Sequence, residues 1–293
     1  MAAGDTITQS LADSLDTVVA SARQVREQEG VMPNLVDKVT LDEGTGTSWR
    51  EISMAQLTAQ AITETTRLDN PQQMSDTAFA ITPTVVGIQT LITDRVAARV
   101  NKKSYAQLGS LAQNSIQRKK DEDGLAVIDG ATTALNVANA ALASGFIAAA
   151  VYQISSNATE PGNPPFRAVF HGFSLKDIWD ELTAAIGADN RADINGITAR
   201  VFTEGLRGKI AGCEIYEDGN LTIDSDKDAK GGVFAQEAIV LVQGRSPRTA
   251  TIRREDIGGG ATVMYLYDEY AYGERSAGNW LFEIIADATA PTS

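Results

Sequence analysis

"SYAQLGSLAQNSIQRKKDEDGLAVIDG", Ser104 to Gly130, is the stretch on which the fold turns. Ser104 is of a type that caps helices. Tyr105, Leu108, Leu111, Ala112 and Ile116 then fall on one face at helical spacing. Leu125, Val127 and Ile128 resume that stripe, and Gly130 stops it. A single helix of this length spans about 40 Å at 1.5 Å per residue. Its middle, "QRKKDED", is charged all round, which reads as a solvated face able to pair with adjacent copies. Arg118, Lys119, Lys120, Asp121 and Glu122 are therefore candidate subunit-interface residues. Gly124 interrupts the helical run and is a place for it to bend.

Upstream the pattern changes. Leu11, Leu15, Val18, Ala22 and Val25 form an apolar stripe at helical spacing, ended by Gly30. Val31 to Val100 has little helical period; "LVDKVTL", "REISM", "TAFAI" and "VVGIQTLI" read as extended segments separated by turns. So long an extended excursion is unusual within a compact monomer. An ordinary antiparallel sheet accounts for it, and so does an arm and hairpin laid on a neighbour. On the second reading Leu11, Leu15, Val18, Val25, Leu57, Ile62 and Arg67 join the candidate interface residues.

Downstream a helix starts at Ser144, and "SSNATEPGNPP" breaks it. The strand "FRAVF" follows, then the helix "SLKDIWDELTAAIG", with Ser174 and Asp177 resembling a capping box. "ARVF", "CEIY", "AIVLV" and "TATIR" read as short strands, and two more apolar strands follow, joined through "ERSAGN".

Composition narrows the function classes. The chain has 293 residues, 43% hydrophobic and 22% charged, so it is long and apolar enough for a sizeable core. A net charge of −13 disfavours binding nucleic acid through its phosphates, which requires clustered Lys and Arg. Cys213 is the only cysteine, so no intramolecular disulfide forms. His171 is the only histidine, which leaves no zinc site of several Cys and His ligands and no Ser-His or Cys-His catalyst without it. The start of the chain lacks a signal peptide's basic and apolar regions. The run Ala134 to Val151 is too polar for a membrane span. "IDSDKDAKGG", Ile223 to Gly232, alternates Asp224, Asp226 and Asp228 like a calcium loop, but Ala229 and Ala235 stand where such a loop needs Gly and Glu. It reads as an acidic turn between strands. No catalytic, cofactor-binding or metal-ligating set is assigned.

Four pieces, in order, resemble the major capsid proteins of tailed bacteriophages, the Hong Kong ninety-seven-like fold. They are "WREISMAQLTAQAITET" with "AFAITPTVVGIQTLITD", the Ser104–Gly130 helix, "FRAVFHGFSLKDIWDEL", and "IAGCEIYEDGNL" with "GGVFAQEAIVLV". The resemblance implies an α+β chain in four parts. These are an N-terminal arm with an amphipathic helix (1–50), an extended loop (51–92), a peripheral domain on a long spine helix (93–145 and 245–293, the helix about 104–130), and an axial domain (146–244). It implies a homo-oligomer of hexameric and pentameric capsomers in an icosahedral or prolate shell. That shell encloses double-stranded DNA without sequence-specific binding and is assembled in the bacterial host cytoplasm. It further implies portal and scaffolding partners, and in some members a decoration protein, with no cofactor, membrane or catalysis. Encapsulin-type cellular compartments share the fold and are the alternative reading. An enzyme using carboxylate pairs such as Asp177/Asp180 or Asp268/Glu269 is a rival from another class. Some family members weld their shells from an extended-loop lysine. This chain has no lysine between Val39 and Asn101, so the expectation is a non-covalent shell. With Met1 at its start, the expectation is also that no N-terminal scaffold segment is removed and that any scaffold is a separate chain.

Overall fold

A computed structural model describes residues 30–44, 46–59, 61–64, 72–99, 103–184 and 208–292. The apolar stripe Leu11–Val25, Arg67 and the segment "ARVF" lie outside the described residues. The long helix α3 runs Lys103–Asp129 as the period requires, following the short α1 (Met32–Leu35) and α2 (Asp94–Arg99). It begins one residue before Ser104. Its buried residues include Ala112, Ile116, Lys120, Gly124 and Ile128, one position in every four. Gly124 serves close packing: a Cβ there would stand 2.9 Å from Met32 Cβ and 3.2 Å from Tyr272 Cζ. The glycine thereby lets α1 cross close over the helix.

Strands β1 (Asp37–Thr40), β2 (Trp49–Met54), β3 (Asp76–Ile81) and β4 (Thr84–Thr93) lie before the helix, where the sequence predicts extended segments. After it come β5 (Ala134–Leu135), α4 (Ser144–Ser155), β6 (Phe166–Phe170) and α5 (Gly172–Ala184). The chain closes with β7 (Lys209–Ile210), β8 (Cys213–Glu217), β9 (Asp228–Ala235), β10 (Ile239–Arg254), β11 (Ala261–Glu274) and β12 (Leu281–Asp287).

Three sheets result. Four strands run β1-β10-β11-β4, six run β5-β12-β9-β6-β8-β7, and β2 with β3 forms a separate antiparallel ribbon. "AIVLV" and "TATIR" are one strand, because β10 continues through register shifts at Gln243/Arg245 and Arg245/Arg248. β11 and β12 adjoin in sequence but enter different sheets, so residues 245–293 serve both. One core joins Leu125 and Ile128 of α3, Ile147, Val151 and Ile154 of α4, and the inward residues of β6, β9 and β12.

Two local readings change. Helix α5 starts at Gly172, before the supposed cap. His171 Nδ1 accepts the Phe173 N–H at 3.1 Å, so the sole histidine supplies the helix start with an acceptor. Burial holds His171 below its ordinary pKa, consistent with that unprotonated nitrogen. Ser174 is buried within the helix, and Asp177 accepts the Leu142 N–H at 3.1 Å.

Candidate assembly surfaces

Strands β2 and β3 pair from Trp49↔Ile81 to Met54↔Asp76. Backbone pairing continues through Ala55 to Ser75 at 2.9 Å, and Gln72 bonds both the N–H and the carbonyl of Thr58. The two limbs thus stay together well beyond the ribbon's root. Alternation sends Trp49, Glu51, Phe79 and Ile81 toward the body and Ile52 and Met54 away from it. Ile52, Met54, Leu57, Ile62 and Met74 are 55–69% exposed. Several large apolar side chains are thus left in solvent on one hairpin, more than the scattered single exposures of an ordinary surface.

The root is fixed by Arg275. Its guanidinium bonds Glu51 at 2.7 Å, Asp37 at 3.0 Å and the Glu237 carbonyl at 2.8 Å. It also lies 5.8 Å from the centre of the Trp49 ring, which meets Phe79 edge to face. One planar fork thus ties the ribbon to β1 and to the turn before β10. Arg275 retains 17% side-chain exposure, so solvent moderates the cost of losing it. Arg275→Ala is expected to lower unfolding stability by about 2 kcal/mol, below the range for a fully buried pair. Protection of amides 49–54 from hydrogen exchange should fall with it, and Arg275→Lys should recover little, lacking the fork.

A second joint pins α3 to the strand irregularity in β10. Lys120 Nζ donates to Gln243 Oε1 at 2.6 Å and to Asp268 Oδ2 at 3.2 Å. The Gln243 amide donates to Asp268 Oδ1 and to the Arg245 and Glu269 carbonyls. The ammonium sits 4.8 Å from the centre of the Tyr270 ring, whose hydroxyl bonds Asp123 at 2.8 Å. A third joint lies where Gly30–Met32 crosses the helix. Met32 N–H donates to Asp121 Oδ1 at 2.9 Å, and Asn220 Nδ2 donates to Asp121 Oδ2 at 2.9 Å.

The reading of residues 118–122 as a helix charged and solvated all round is thereby corrected. Arg118 and Glu122 are exposed and pair at 3.5 Å, and Lys119 pairs with Asp123. Lys120 and Asp121, at 7% and 0% exposure, are committed within the protomer. Leu57 and Ile62 are on the exposed hairpin. Sequence reasoning missed Arg275, Trp49 and Gln243, named Asp268 only as half of a carboxylate pair, and passed over Ile52, Met54 and Met74.

Beyond Gln243 the outer edge of β10 has no partner strand among the described residues, because β1 covers only Val240 to Gln243. That edge carries Arg245, Pro247, Arg248, Arg253 and Arg254, and such residues deter uncontrolled strand pairing. Arg253 bonds Asp94 and Glu255, Arg254 bonds Asp256, and Arg248 lies over the Tyr267 ring.

No protein-family model matches the sequence, and no curated protein does. Solved structures do match. One from Mycobacterium phage Che8 superposes with a TM-score of 0.72 at 15% identity, over 92% of this chain and 97% of that one. The capsid of cyanophage P-SCSP1u gives 0.71 at 14% identity, covering 96% and 95%. The acid-stable capsid of Helicobacter pylori bacteriophage KHP30 gives 0.70 at 12% identity, covering 98% and 100%. The chain has the Hong Kong ninety-seven-like capsid fold. Within this capsid fold the residues with reactive potential have structural duties. Cys213 is buried, and burial pushes its thiol up to about 12, far from the thiolate that nucleophilic chemistry needs. Asp177 serves the Leu142 amide, Asp180 pairs with Lys176 at 2.7 Å, and Asp268 pairs with Lys120. Asp224 Oδ1 accepts the Asp226 and Asp228 N–H groups, and the Asp228 carboxylate accepts the Asn139 N–H, so the acidic turn is closed on its own backbone. Among the described residues no helix is long and apolar enough to cross a membrane.

Proposed function

We propose that this chain is the major shell protein of a tailed double-stranded DNA phage. Copies assemble through hexameric and pentameric capsomers into a closed icosahedral or prolate container, a virion component built in the host cytoplasm. The observation that carries this reading is the hairpin of a capsid fold, whose apolar side chains stay mostly exposed among the described residues. The parts follow: residues 51–92 as the extended loop, α3 as the spine of a peripheral domain with the β10–β11 hairpin, and the six-stranded sheet with α4 and α5 at the core of an axial domain. Residues 1–50, with Leu11, Leu15, Val18 and Val25, form the arm that packs on a neighbour, and Arg67 belongs to the loop's contact surface. Arg118, Lys119 and Glu122 remain candidate contacts between copies.

The acidity suits the role. A wall of net charge −13 per copy repels phosphates, so DNA is enclosed without being gripped or read. The protein acts by assembling; it catalyses nothing and needs no cofactor. A separate scaffolding protein, a portal and, where the shell is reinforced, a decoration protein are its partners.

Sedimentation of the purified chain, alone and with its scaffold, tests the reading. Closed particles of megadalton mass are expected, and a denaturing gel of them should show only the 31.1 kDa chain, since the loop has no lysine to cross-link. A species that stays at 31.1 kDa under all conditions, or a covalent ladder, contradicts it.

A further inference from the structure

The joint at Gly30–Met32 holds two buried carboxyl groups against each other. Asp121, on α3, is fully buried, and Asp218, in the turn after β8, is 1% exposed. Asp121 Oδ1 accepts the Met32 N–H at 2.9 Å and its Oδ2 the Asn220 amide at 2.9 Å. Asp218 Oδ1 accepts the Asn220 N–H at 2.8 Å, and its Oδ2 faces the Val31 N–H at 3.4 Å. The chain crosses this pair so closely that a Cβ on Gly30 would stand 2.3 Å from Asp121 Cγ. The charged neighbours on the helix are engaged elsewhere: Arg118 with Glu122, Lys119 with Asp123, Lys120 with Asp268 and Gln243. From β11, Tyr272 approaches with a buried hydroxyl that has no hydrogen-bond partner among the described residues, and Tyr270 bonds Asp123. From β6, Arg167 donates to the Asn34 carbonyl at 2.8 Å.

Two carboxylates in a buried joint repel unless one of them carries a proton. We propose that Asp121 and Asp218 form a proton-operated latch on the root of the N-terminal segment, holding Gly30–Met32 on the spine helix while the Asp218 carboxyl is protonated and loosening it when that carboxyl ionises beside Asp121. Burial, and then the hydrogen bond and charge of Asp121, push the Asp218 carboxyl up to about 7, against the opposing pull of the Asn220 and Val31 amides. The sign follows from the raised value. The folded joint holds its proton more tightly than the unfolded chain, whose aspartate titrates at about 4. The latch is therefore fully closed below about pH 4, weakens as pH rises, and is open above about pH 7. The device belongs to the protomer and stands whether or not the shell reading holds.

Hydrogen exchange at the Val31 and Met32 amides of the full chain tests it. Rates are corrected for intrinsic exchange and compared at about pH 5.5 and about pH 8.5, on either side of the transition. Sedimentation at both values separates any change of assembly. Wild-type protection should fall by about tenfold or more across this range, one decade per pK unit of coupling. Asp218→Asn, which cannot ionise, should keep the acid-side protection at both values, and Asp121→Asn, which removes the neighbouring charge but not the burial, should make the fall smaller. A wild-type profile that is already flat overturns the latch. So does an Asp218→Asn chain that tracks the wild type or is unprotected throughout. Should Asp218→Asn fail to fold, the wild-type profile and Asp121→Asn decide.

Discussion

Replacing Lys120 by alanine is expected to destabilise the protein by roughly 3–5 kcal/mol, the range for removing one partner of a buried ion pair. The cost comes from what remains. Asp268 has no side-chain exposure, and without the ammonium its charge faces, among the described residues, the Gln243 amide and the Glu269 N–H. The Tyr270 ring loses the cation above it, and Gln243 loses the donor that holds it in the β10 irregularity. The helix would then lose one of its ties to the four-stranded sheet, keeping the Tyr270–Asp123 bond. Lys120→Met combined with Asp268→Leu should cost much less than either single change, because apolar residues of similar volume avoid the desolvation of both charges. Urea unfolding of the two single variants and the double measures this directly. A loss for Lys120→Ala below about 1 kcal/mol, the scale of an exposed pair, would mean that the ammonium is solvated instead.

The second large effect falls on assembly and leaves the protomer intact. Ile52→Asp with Met54→Asp should abolish particle formation without lowering the thermal midpoint of the protomer, since the two side chains are 61% and 69% exposed. Each contributes about 1.5–3 kcal/mol when fully covered. At 1.4 kcal/mol per decade, losing one such contact raises the concentration needed for assembly about 10–100-fold, before the cost of burying a carboxylate. Sedimentation and calorimetry on the same sample separate the outcomes. Loss of particles together with loss of fold would place the hairpin in the protomer's own core.

How much of this could be read from residues depended on distance along the chain. The long helix, "FRAVF", "CEIY" and the ribbon strands are local patterns, and each appears where its period puts it. The Lys120 joint is not local: its partners lie 123 and 148 residues away. One signal was nonetheless present. The spacing of four from Ala112 through Ile116 to Ile128 passes through Lys120 and Gly124, so the stripe itself marks that lysine as inward and that glycine as a contact. Arg275 gave no signal, because it sits in a turn-like stretch 224 residues from Glu51. The apparent capping box at Ser174 misled because a histidine does the capping, and nothing in the residue pattern separates "AIVLV" from "TATIR" once a bulge lets one strand carry both. The exposed hairpin residues read equally well as one face of an ordinary sheet. Their exposure became visible only when the root had been fixed by residues far downstream.

An electron-microscopy reconstruction of the assembled chain bears most directly on the central claim that copies of this chain complete each other's apolar cover. The account predicts a closed shell in which Ile52, Met54, Leu57, Ile62 and Met74 of each copy are buried against a neighbour. A particle in which that hairpin remains in solvent, or a protein found only as single folded chains, would contradict it.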